Sequence, residues 1–166
     1  MTNKELIKRY PWLTPFNRFS GKLITDCAGP NGEEGFWPGS PTEHPDYNYD
    51  FTELDNLPDG WRKAFGERMC EEIRKALIKN NCLNDYYVAE IKEEYGGLRW
   101  YDYGAPAEVE EIIKKYTQLS YYTCIDCGQP ATKISKGWNS PFCDKCAKKL
   151  DDYMKFENIE EVYYNE

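Results

Sequence analysis

Apolar positions recur along the middle of the chain with two different periods, and the periods divide it into elements. From about Gly60 to Asn80, the residues Trp61, Ala64, Phe65, Met69, Ile73, Ala76 and Leu77 fall at spacings that lay them along one helical face. Asp59 stands where an N-cap belongs, and Asn80 and Asn81 suit a left-handed exit. From Tyr86 to Glu94 the pattern alternates and strand-forming residues dominate. After Gly96 and Gly97 a second such run continues from Leu98 to Tyr103. The glycines accept the positive φ of a tight turn, so the two runs read as a hairpin. Pro106 then opens a second helix to about Ser120, with Val109, Ile112, Ile113, Tyr116 and Leu119 facing inward.

The N-terminal part is less regular. Thr2 or Asn3 caps a short helix to about Tyr10, which Pro11 ends because proline brings no amide to the ladder. Between Pro11 and Leu57, prolines such as Pro30, Pro38, Pro41 and Pro45 are interleaved with Gly29, Gly32, Gly35 and Gly39, the mark of an irregular arm. Trp12, Phe16, Phe19, Phe36, Trp37, Tyr47, Tyr49 and Phe51 make it too aromatic for a solvated linker, so the arm is expected to wrap the core. Residues 1–120 thus form an α+β core, in which two main helices pack on a β-hairpin or small antiparallel sheet. A C-terminal helix or tail covers 151–166, as an extension of the last helix, a strand at Glu161 to Tyr164, or a contact with another subunit.

Residues 121–150 have a different logic. Cys124 and Cys127, then fifteen residues, then Cys143 and Cys146 match the spacing of a four-cysteine zinc ribbon. Each Cys-x2-Cys turn brings two sulfurs to one ion, and Gly128 frees the backbone to turn sharply. A module of about thirty residues buries too little apolar surface to fold alone, and a structural zinc supplies the deficit. Four thiolates leave no position for water or substrate, so the expected ion is scaffolding. Of the seven cysteines, Cys70 reads as a small buried hydrophobe, while Cys27 and Cys82 have no clear role. His44 is the sole histidine; a second metal site with Cys27 is a minor alternative to simple solvation.

Charge narrows the function classes. The formal net charge of −8 in 166 residues opposes undirected binding to nucleic acid or anionic membrane. Within 121–150, five lysines face two aspartates, but a zinc tetrathiolate contributes about −2 and removes most of that excess. Met1 to Tyr10 is charged and lacks the apolar run of a signal peptide, so a cytoplasmic protein is expected. Composition leaves the oligomeric state open.

Two segments are richer than secondary structure requires, Gly60-Trp61-Arg62 and Leu98-Arg99-Trp100-Tyr101. An arginine beside aromatic rings holds a phosphate in its fork while a ring stacks on a base, and the helix start at Gly60 to Arg62 adds amide donors. Trp61, Arg62, Arg99, Trp100 and Tyr101 are therefore the candidate ligand site for a nucleotide-like molecule, against the competing reading that the tryptophans are core and the arginines pair with carboxylates. A hydrolytic metal site among Asp59, Glu90, Glu93 and Glu94 is a third reading, weakened by the helix that separates Asp59 from the others.

The stretch Leu57-Pro58-Asp59-Gly60-Trp61-Arg62, the run from Lys92 to Arg99, and Gly137-Trp138 with Pro141-Phe142-Cys143 resemble a family of small zinc-ribbon proteins of bacteriophages and gut bacteria. The resemblance covers about two thirds of the chain. The family has no assigned activity; what the resemblance implies is context, a small phage-type protein of the bacterial cytoplasm, for which countering a host system by binding is the expectation. The non-enzymatic reading comes from the lack of a catalytic constellation in the residues. The targets in view are a nucleotide-like signal or a host protein, with a nucleic-acid-associated regulator as the alternative.

Overall fold

A computed structural model describes residues 1–17, 22–23 and 51–159. Cys27, His44, most of the arm's aromatics and the 161–164 segment lie outside the described residues. The fold is α+β, with the elements α1 (Asn3–Arg9), β1 (Phe16–Asn17), β2 (Lys22–Leu23), α2 (Asp59–Trp61), α3 (Glu67–Lys79), β3 (Tyr87–Glu94), β4 (Gly97–Tyr103), α4 (Ala107–Ser120), β5 (Lys133–Ser135), β6 (Pro141–Phe142), α5 (Asp144–Leu150) and β7 (Phe156–Asn158). The strands make three antiparallel sheets, β1-β2, β3-β4 and β6-β5-β7. Among the described residues, no helix is long and apolar enough to cross a membrane.

α1 starts on a capping box, in which the Thr2 hydroxyl accepts from the Glu5 amide and the Glu5 carboxylate accepts from the Thr2 amide. The long helical run is not a uniform α-helix. α2 passes into a π turn at Arg62–Gly66 before α3 begins. The apolar spacing explains this. Trp61, Phe65, Met69, Ile73 and Leu77 are all buried and all four residues apart, and a step of four overshoots an α-helical turn by about 40° each time. The wider π turn absorbs part of that drift and keeps Trp61 on the face of Leu77. Ala64, expected on that face, stays exposed beside Gly128.

Asp59 is also not the cap. Pro58 holds the N-cap position, and the Gly60 amide donates to the Ile125 carbonyl at 2.9 Å. A backbone carbonyl far along the chain thus satisfies one of the helix-start donors. At the other end, Asn81 adopts φ 55° as expected.

The hairpin turns at Tyr95-Gly96, with φ of 50° and 76°, and Gly97 already pairs with Glu94 in the ladder. Its inner face, with Val88, Ile91, Leu98 and Trp100, completes a core built from α1, α3, α4 and the short 3-10 turns Pro11–Leu13 and Glu53–Asn56. Trp12 is fully buried there. A second small core surrounds Cys124, Phe142, Cys146 and Ala147.

Candidate metal centre

Each half of the cysteine motif is shaped by its own backbone. In the first, the Cys124 amide donates to the Gln129 carbonyl and the Gly128 amide to the Cys124 carbonyl, at 2.8 and 3.0 Å. Gly128, at φ 78°, closes this loop. In the second, Cys143 is the N-cap of α5 and Cys146 sits in its first turn. The Ile125 amide donates to the Pro141 carbonyl at 2.9 Å and so ties the two halves together.

The outcome is a single cluster. The four Sγ atoms of Cys124, Cys127, Cys143 and Cys146 lie within 4.8 Å of one another, and Cys127 and Cys143 are 3.6 Å apart. That separation is far beyond a disulfide of about 2.05 Å, and near the edge of about 3.8 Å that a tetrahedron with 2.3 Å metal–sulfur bonds requires. The donor set therefore fits a metal ion. Burial raises the Cys124 and Cys146 thiols, whereas the backbone amide of Gln129 lowers Cys127 to about 7.

The cluster is seated on the core. A Cβ on Gly60 would lie 2.2 Å from the Cys124 carbonyl oxygen, and one on Gly128 2.5 Å from the Gly60 carbonyl oxygen. Beside this contact, the buried Trp61 indole donates from Nε1 to the Thr123 carbonyl at 2.8 Å. At the turn between β5 and β6, Trp138 Nε1 donates at 2.9 Å to Glu93, which also accepts from the Gly96 amide at 2.6 Å. The sequence reading missed both ties; the only local signals were a glycine after Asp59 and another after Cys127.

The five candidate ligand residues do not converge. Trp61 and Trp100 are core side chains, and Trp100 Nε1 donates to the Tyr86 hydroxyl at 2.9 Å. Arg62 pairs with Asp55. The amides at the helix start are also used, Gly60 by Ile125 and Arg62 by Pro58. Arg99 reaches Glu94 at 3.3 Å and the Tyr121 hydroxyl at 3.4 Å. Tyr101 is exposed, with Lys92 Nζ 5.4 Å from its ring centre. Arg62 lines one shallow depression with Asp59, Lys63 and Glu67, and Tyr101 lines another with Glu90, Lys92 and Tyr103.

The four acids are dispersed as well. Glu90 and Glu94 flank Lys92, Glu93 holds the hairpin turn, and Asp59 is in the first turn of α2. Among the described residues, the four cysteines are the one group of three or more histidines, cysteines or acids placed to share a metal ion. No family model, curated protein or solved structure matches the chain.

Proposed function

We propose that the chain is a zinc-stabilised binding protein whose ion is structural and takes no part in turnover. The observation that carries this reading is the closed set of four sulfurs, two of them deeply buried, seated on the start of the long helix. Thiolates at this spacing suit zinc, and a complete tetrahedron leaves no site for a reacting water. The gain in folding energy on loading, about 10 kcal/mol or more for such sites, supports a module that covers little apolar area by itself.

The binding function rests on the open face of the hairpin. Tyr101 and Tyr103 are exposed there for stacking on a base, and Lys92 and Arg99 on the same hairpin both pair with Glu94, which an incoming anionic group would displace. A nucleotide-like signal is the ligand this face suits, and sequestering it would fit a phage-type protein that counters a host defence system. Calorimetry against a panel of cyclic and adenine nucleotides tests this: micromolar or tighter binding, weakened at least about tenfold in Tyr101→Ala, is the expected result. Silence across the panel favours a host protein as the target.

One observation favours the nucleic-acid reading. Lys145, Lys148 and Lys149 are exposed on α5 and make no ion pair among the described residues. That reading requires affinity that falls steeply with salt.

A further inference from the structure

The four sulfurs are not equivalent. Cys124 is 0% and Cys146 5% exposed, whereas Cys127 and Cys143 are only half-buried. These two less buried residues come from opposite halves of the motif, and their sulfurs stand 3.6 Å apart. A small oxidant therefore meets these two first, and closing the remaining gap takes less than 2 Å of motion to reach disulfide length. The more buried pair, Cys124 and Cys146, forms a small core with Phe142 and Ala147.

Resting on the zinc reading above, we propose that the Cys127–Cys143 pair is a peroxide-responsive switch that expels the metal and loosens the ribbon from the long helix. The Cys127 or Cys143 thiolate attacks one oxygen of hydrogen peroxide, and the O–O bond breaks to give a sulfenic acid and hydroxide, which takes up a proton to become water. The other thiolate then attacks the sulfenic sulfur. An S–S bond forms, the S–O bond breaks, and the leaving hydroxide takes a second proton. The pair has lost two electrons and the peroxide is reduced to two waters. Two thiolates remain, which is half the ligand set a structural zinc needs, so the ion leaves.

The consequence reaches the core through Gly128. It follows Cys127 directly and is in close contact with Gly60, whose amide is held by Ile125. Drawing Cys127 toward Cys143 displaces that turn and releases the start of α2. Because the new bond spans the two halves of the motif, the ribbon stays tethered, and reduction in the presence of zinc restores the loaded form.

The test uses the full chain as purified, treated with hydrogen peroxide. Zinc release is followed with a chromogenic chelator, thiols are mapped by alkylation before and after unfolding, and Gly60 amide exchange is measured. The expected result is one zinc released per Cys127–Cys143 disulfide, Cys124 and Cys146 alkylated only after unfolding, and faster exchange at Gly60. A disulfide within either Cys-x2-Cys pair, zinc retained at a peroxide dose that oxidises the half-buried Cys82, or unchanged exchange at Gly60 overturns the proposal. Material that contains no zinc at the outset defeats the zinc reading itself. Thiol mapping on that material still decides the pairing, and any dominant disulfide other than Cys127–Cys143 overturns the switch there too.

Discussion

The amide of Gly60 donates across 2.9 Å to the carbonyl of Ile125, so the first turn of the long helix is capped by the metal-binding loop instead of a side chain of its own. A methyl group at position 60 would sit 2.2 Å from the Cys124 carbonyl oxygen and 2.6 Å from that of Ile125. Both neighbours are backbone, which has little room to yield. Gly60→Ala is expected to cost at least about 2 kcal/mol in urea denaturation of the zinc-loaded chain. Gly66→Ala is the control, since its added carbon meets nothing closer than 3.5 Å and lies in a helical run. It is expected to be neutral or to stabilise by about 0.5–1 kcal/mol.

Glu53 gives the fold a pH dependence. It is 7% exposed, and burial, with a smaller push from Glu90 and against the opposing hydrogen bond from Asn56, raises its carboxyl from 4.5 to about 7. A raised folded-state value means that the proton is held more tightly in the native chain. Its contribution is complete below about pH 4.5 and is lost as pH rises to about 7, a change of about 3 kcal/mol. Denaturation curves between about pH 5 and 8 should show this decline, and Glu53→Gln should remove it and be the more stable protein at about pH 8.

Tyr95 occupies the first position of a two-residue hairpin turn at φ 50°, a conformation that a bulky side chain adopts at a cost of about 1–2 kcal/mol. Its ring, 57% exposed, packs at 5.6 Å on Trp138. Strain outweighs an exposed ring contact of that kind, so Tyr95→Asn is expected to stabilise by about 0.5–1 kcal/mol. A calorimetric melt that moves downward would show the ring pair to be the stronger effect.

Tyr86 links two inner groups through one hydroxyl, which accepts from Trp100 Nε1 at 2.9 Å and donates to Asp102 at 2.8 Å. Tyr86→Phe leaves the indole and the carboxylate without that partner. A loss of about 1–3 kcal/mol in chemical denaturation is expected, although the phenyl ring still fills the site.

Much of this was legible in the chain. Period alone located the long helix, the hairpin and the helix before the ribbon, because burying one face repeats a local rule over many residues. The cysteine spacing gave the cluster for the same reason. What escaped were contacts between distant segments. Asp59 looks like a cap until Pro58 takes that position and the Ile125 carbonyl meets the Gly60 amide. The turn falls on Tyr95-Gly96, not Gly96-Gly97, because register with β4 outweighs the conformational preference of one residue. The tail contributes a strand at Phe156–Asn158 beside β5, which pairs through backbone groups that leave little trace in side-chain pattern. For Trp61 and Trp100, an aromatic on an amphipathic element reads the same whether it is core or platform, and only packing distinguishes them.

Zinc K-edge X-ray absorption on freshly purified protein, with elemental analysis of the same sample, reads the metal and its ligands together. One zinc per chain with four sulfur neighbours at about 2.3 Å is the expected result. A first shell containing oxygen or nitrogen, or protein that carries no zinc, would contradict it.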